Sequence, residues 1–189
     1  LIIGEMMQRK ARIIDVQIKQ GSTGKLVICT VRHSFYGETG LAIKEDHDYI
    51  YRDNPLANER ATSGAGKSTT VPTDHRWSKT ITPNPVMLFR YSAVTFNGHR
   101  IHYDRRYVTE IEGYPALVVH GPLIATLLLE LALDNNSGHT VQKFDFQARA
   151  PLFDDAPFSI AGKPTVNGCS LWSATPAGNY SARASVVFA

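Results

Sequence analysis

The stretch FNGHRIHYD at 96–104 gathers the groups best suited to moving a proton near neutral pH: His99 and His102, with Asn97 five residues before the second. An imidazole that titrates near neutrality suits general-base work, which contributes typically about 10²–10⁴-fold to a rate. Further on, His120, Gly121 and Pro122 open a long apolar run. Pro fits the first position of a helix. The first N–H groups of a helix lack intrahelical partners and lie at the positive end of its dipole. Gly121, with no side chain to obstruct an approaching oxygen, is the candidate oxyanion donor. A base for water and a donor for an oxygen that gains negative charge are together what addition of water to a carbonyl-conjugated double bond requires. His102 is the expected base, with Asn97 and His99 expected to hold the water. Arg100, Tyr103 and His120 are the expected substrate contacts.

Each of these residues has a plainer alternative. His102 could cap a turn, Asn97 could hold the loop through its own backbone bonds, and His99 could lie on a surface loop. His120 could be architectural at the helix entrance. Arg90, Arg105 and Arg106 also surround the loop, as phosphate or carboxylate partners or as a solvated basic face. His33, His47, His75 and His139 lack metal-ligand spacing, and His99-x-x-His102 alone is too little for a metal site. No metal and no cofactor is expected.

These groups must be positioned by helices and strands. Gly121 to Asn135 (GPLIATLLLELALDN) is apolar except for Thr126, Glu130 and Asp134, spaced four apart and so forming one narrow stripe. A helix this apolar is expected to be buried on most faces, and at fifteen residues it spans roughly 22 Å. Pro85 to Val94 predicts a shorter helix, and a helical turn is expected around Arg105 to Ile111. Strands are expected at 11–19, 25–34, 41–51, 77–82, 140–150, 156–163, 167–175 and 179–188. The first three, joined by turns such as GSTG at 21–24, form an antiparallel meander with no helix of its own to lie against.

Composition narrows the function classes. A formal net charge of +3 is too small for a nucleic-acid binder. No stretch reads as a signal peptide or a membrane span. Cys29 and Cys169 lie far apart in strand-like runs, as buried reduced thiols do, so a cytoplasmic protein is expected. The small, polar segment 54–80 reads as a flexible linker, with 60–70 its most mobile part. Within it, SGAGKST resembles a phosphate loop, but Ala61 stands where that motif needs Gly, and no strand leads in. No nucleotide site is expected there.

The two ends share a thin repeat of strand, Gly turn, strand, Gly turn and strand, offset by about 150 residues. Taken with the absent initiator Met, it implies that 1–53 is the later part of a domain whose own central helix lies upstream. An antiparallel sheet wrapped on one long helix is the hot-dog arrangement. The segment from Phe89 to Glu130 resembles the MaoC-like, (R)-specific acyl-CoA hydratases and dehydratases. Their loop reads Asp-x-Asn-Pro-x-His-x-Asp, followed by a His-Gly pair that opens the central helix. Here Asn97, His102 and Asp104 fall on the first Asp, the His and the last Asp, and His120-Gly121 falls on the pair. The wording FNGHRIHYD…EGYPALVVHGP is similar to the mesaconyl-CoA and itaconyl-CoA type hydratases, which pair two hot-dogs, the first degenerate.

That resemblance implies an α+β protein with a partial or degenerate hot-dog at 1–53, a linker at 54–80 and a complete hot-dog at 81–189. It implies an acyl-CoA hydro-lyase, including one for a short branched dicarboxylic acyl group, working as a homo-oligomer or hot-dog pseudo-dimer. The departures are Asn97 for the usual Asp, and His99 and Arg100 for Asn-Pro; an amide can orient water but cannot take its proton. Two other classes stay open: a thioesterase using Glu130, and a catalytically silent acyl-binding module.

Overall fold

The computed structural model describes residues 1–21, 24–52 and 69–189. The chain divides into two compact units, Leu1–Leu56 and Ala57–Ala189. Ser22 and Thr23 of the first expected turn lie outside the described residues. So do residues 53–68, which hold most of the expected linker and nearly all of the phosphate-loop-like stretch.

The first unit is the expected meander. Strands β1 (Gln8–Gly21), β2 (Gly24–Gly37) and β3 (Gly40–Arg52) pair antiparallel in that order. A register shift between Ile13 and Asp15 changes which residues of β1 share a face. Ile18, Val27 and Tyr51 therefore form one cross-strand row, Val16, Cys29 and Tyr49 the next, and Ile13, Val31 and His47 a third. That face is largely apolar, yet Ile13, Val16, Ile18 and Tyr51 are all exposed. No helix occurs among the described residues of this unit.

The second unit is a five-stranded antiparallel sheet on a long helix. Strands β4 (Trp77–Ile81), β5 (Val141–Ala148), β6 (Phe158–Thr165), β7 (Gly168–Ala174) and β8 (Tyr180–Phe188) are ordered β4-β6-β7-β8-β5. The strand expected at 77–82 is edge strand β4, which overlaps the end of the segment read as linker at 54–80, and Thr70 bridges Asn179.

Helices α1 (Pro85–Thr95), α2 (Arg105–Glu110) and α3 (Gly121–Asp134) fall where the periodicity predicts them. Asn84 caps α1 by accepting from the Met87 N–H at 2.9 Å, and Pro85 takes the position where no N–H is needed. Helix α3 buries Leu123, Ile124, Leu128, Leu131 and Ala132 against β6, β7 and β8, where Ile160, Leu171, Ala182 and Val186 complete the core. Its polar stripe, Thr126, Glu130 and Asp134, faces outward as expected. The wrapping is less complete than expected, however. Leu133 is exposed, and Ala125, Leu127 and Leu129 are half-buried, because the sheet covers one side of the helix.

Candidate active site

The expected proton-moving loop leaves α1 through a strained corner. Phe96 holds φ 52° and ψ 32° as the C-cap of α1, a left-handed conformation that Gly takes most readily and a bulky residue seldom does. The Asn97 N–H then donates to the Ser92 carbonyl at 2.9 Å. The Asn97 side chain turns inward on the loop, its Oδ1 accepting from the His99 N–H at 3.0 Å. The plainer role of Asn97 is therefore met, with its Nδ2 amide and the second Oδ1 lone pair left to be offered to a water.

His102 closes a single 3-10 turn, Arg100–His102, and is buried. Its Nδ1 lies 2.7 Å from the Val118 carbonyl oxygen. A carbonyl can only accept, so Nδ1 carries the proton and donates, leaving the neutral ring's lone pair on Nε2. Burial pushes the His102 pKa below the ordinary imidazole value, and charge on His99 pushes it the same way. The bond to Val118 partly opposes them. A buried imidazole kept neutral, with one nitrogen anchored and the other free to accept, is the form a general base needs.

His120 is wholly buried and is the N-cap residue of α3. Its ring stacks on His102 at 3.7 Å between centroids and 16° between planes, while Tyr91 meets it edge-on at 4.8 Å. Its Nε2 is 2.8 Å from Ser92 Oγ. Burial, then the charge of His102, lowers its pKa to about 4, so it stays neutral under any ordinary condition. The stack brings His102 against the residue immediately before Gly121. The expected substrate contact through His120 is corrected by its burial, since other side chains enclose the ring.

Gly121 begins α3, and a Cβ built there meets nothing within 4 Å. The space beside Gly121 at the first turn of α3 is thus open. A cleft of about 380 Å³ adjoins it, lined by Val118, Gly121, Ile124, Arg149, Leu152 and Ser181 among others.

The remaining candidates are committed elsewhere. Arg100 pairs with Asp104 at 2.8 Å and lies over the Tyr107 ring, 4.1 Å from its centroid. The Tyr103 hydroxyl donates to the Gly98 carbonyl at 2.9 Å, so both side chains brace the loop. His99 is exposed, its ring edge-on to His102 at 5.6 Å. Asp104 caps α2 by accepting from the Tyr107 N–H at 3.0 Å, which together with Arg100 holds its carboxyl below the usual range. Arg106 pairs with Glu110 and Arg105 with Asp154. Glu130 is exposed on the outer stripe of α3 and gives the thioesterase alternative no support.

Two residues escaped sequence reasoning. Ser92 lies four residues after Leu88 on the buried face of α1, a polar side chain at a core position. Asp154 has a nearly buried carboxylate that accepts from the Leu117 N–H at 3.0 Å as well as pairing with Arg105. It thereby steadies the segment that supplies the Val118 carbonyl.

The family model of hydroxyacyl-thioester dehydratase type 2 matches residues 1–154. A mesaconyl-C(4)-CoA hydratase from Chloroflexus aurantiacus is 40% identical over 187 residues, 98% of this chain and 65% of that protein. The mitochondrial hydroxyacyl-thioester dehydratase type 2 of Schizosaccharomyces pombe is 34% identical over 145 residues, 75% of this chain and 45% of that protein. The chain thus spans less than two thirds of either relative's length. Among solved structures, a MaoC-like dehydratase from Phytophthora capsici superposes with a TM-score of 0.69 at 10% identity, over 97% of this chain and 64% of its own. That likeness shows the hot-dog fold.

Proposed function

This chain belongs to the hydroxyacyl-thioester dehydratase type 2 family, and from that premise we propose that it is a hydro-lyase adding water to an α,β-unsaturated acyl-CoA thioester. The observation that carries the proposal is the His102 ring, anchored at Nδ1 by Val118 and left with its lone pair on Nε2. In the forward direction Nε2 takes a proton from water while the water oxygen bonds to the β-carbon. The electrons of the double bond move toward the thioester carbonyl, whose oxygen gains enolate charge. The Gly121 N–H, at the positive end of α3, meets that oxygen. The imidazolium then returns a proton to the α-carbon, so a 3-hydroxyacyl thioester leaves and His102 is neutral again. Dehydration is the same path reversed.

Asn97, through its Nδ2 amide, orients the water, with His99 at the exposed edge of the same turn. Hydration changes no net oxidation state, so the steps above call for no redox cofactor. The relative from Chloroflexus aurantiacus is named for mesaconyl-C(4)-CoA, and 98% of this chain aligns with it. A short branched dicarboxylic acyl group is therefore the favoured substrate, with a homo-oligomer or hot-dog pseudo-dimer the working form.

Assaying the chain on mesaconyl-C(4)-CoA and a series of unbranched enoyl-CoA thioesters tests this. Loss of the conjugated double bond with the thioester intact is expected. Release of free CoA thiol would favour the thioesterase class, and no turnover of any ester would favour a silent binding module.

A further inference from the structure

Ser92 and His120 are buried polar residues to which the reaction above assigns no step. Two contacts meet at Ser92, and a third at its neighbour. Its carbonyl accepts from the Asn97 N–H at 2.9 Å, its hydroxyl lies 2.8 Å from His120 Nε2, and its neighbour Tyr91 stands edge-on to the same His120 ring. His120 Nδ1 is buried with no hydrogen-bond partner among the described residues. The bond to Ser92 is thus the one in-plane contact that fixes how that ring is turned. An unpaired buried polar atom is costly and calls for an explanation. Here the ring is used for its face, on which His102 lies at 3.7 Å and 16°.

We propose that Ser92 is a positioning residue for His102, acting through the His120 ring, an inference that rests on His102 being the base. Val118 fixes one nitrogen of His102 but leaves the ring free to swing about that bond. The flat, neutral face of His120 removes that freedom and sets the direction of the Nε2 lone pair. Through its carbonyl, Ser92 also ties down the start of the Asn97 loop, so one residue holds both sides of the water site in register.

The groups facing His102 are few. His120 stacks on it from the start of α3, His99 meets it from its own turn, and the Val118 carbonyl accepts from it. Arg100 and Asp104 in the same turn pair with each other. If the His120 ring is released, His102 becomes better hydrated and loses the desolvation that lowers its pKa. His102 acts when neutral, so a raised pKa moves the acidic limb of activity to higher pH.

The test uses the 189-residue chain, with whichever enoyl-CoA thioester it turns over best. In Ser92→Ala we expect kcat to fall roughly 10- to 100-fold, KM to change little, and the acidic limb of kcat/KM to shift to higher pH. Ser92→Thr, which keeps the hydroxyl, should recover most of kcat and the original limb. Wild-type kcat in Ser92→Ala would overturn the proposal. So would a lower kcat with an unmoved limb, since a merely structural defect would do that. Should Ser92→Ala not fold, nitrogen-15 NMR of the histidine rings in the unaltered chain decides. His120 staying neutral while His102 titrates supports the proposal; both titrating together near the ordinary imidazole value overturns it. His102→Ala, run in parallel, keeps the two levels apart. Full activity there removes the base itself, whereas its loss beside a wild-type-like Ser92→Ala removes only the role of Ser92.

Discussion

At the scale of single residues, the proposed chemistry rests on a neutral imidazole and one main-chain N–H. The tautomer of His102 follows from its Val118 contact, because a carbonyl oxygen can only accept. Gly121 allows a cleaner test of the second group than most active-site glycines. A methyl there meets no protein atom and stands in open space at the first turn of α3. Gly121→Ala should therefore leave the melting temperature unchanged or slightly raised, as Ala is the better helix former. It should lower kcat by crowding the thioester oxygen away from the retained N–H, by at most the 10²–10³-fold typical of losing an oxyanion donor. Steady-state kinetics beside a melting curve checks this; wild-type turnover would show that the substrate does not pack against that residue. The FNGHRIHYD spacing pointed to His102, and the His120-Gly121-Pro122 helix entrance to Gly121. It could not show that the Asn97 Oδ1 is taken by the His99 N–H, or that Arg100 is folded onto Asp104 and Tyr107. Those contacts depend on where a short loop turns, which spacing does not encode.

At the scale of elements, α1 and α3 meet at the site, and the exit from α1 is strained. Phe96 occupies the left-handed cap while its side chain is almost fully exposed, so no packing compensates the backbone cost. Phe96→Gly should raise the melting temperature, by an amount on the order of 1 kcal/mol of stability. The same change loosens the entrance to Asn97, so kcat should fall as stability rises. Calorimetry and kinetics on one preparation would check both; a fall in melting temperature would mean the corner carries no strain. The helices themselves were readable because Pro85 and Pro122 mark their starts and apolar periodicity marks their lengths. The edge strand Trp77–Ile81 reads in sequence both as a strand at 77–82 and as the tail of a linker ending at 80, since five residues next to a polar segment give too short a pattern to fix the boundary. Ser92 was missed for a related reason: the Leu88–Ser92 spacing places a hydroxyl in the core but does not say what it bonds.

At the scale of the molecule, the first unit presents an apolar face that the described residues leave open. Exposed Ile18 and Tyr51 flank half-buried Val27, and exposed Val16 and Tyr49 flank half-buried Cys29, so these rows make one apolar patch of the kind that marks association. We expect the chain to elute in solution as more than a monomer, with Val16→Lys shifting it toward smaller species; a strictly monomeric wild type would contradict this. The meander was legible from alternation. The face it presents was not, because the register shift at Ile13–Asp15 moves Val16 and Ile18 onto the side that simple alternation would give to Asp15 and Gln17. The central claim, that this chain hydrates an acyl-CoA thioester through His102, is met most directly by kcat/KM for wild type and His102→Ala on the enoyl-CoA it turns over best. A loss of about 10²-fold or more, roughly 3 kcal/mol at 1.36 kcal/mol per decade, is predicted at a temperature where both proteins are folded, with some fall in melting temperature from the lost buried ring; full activity in His102→Ala would contradict it.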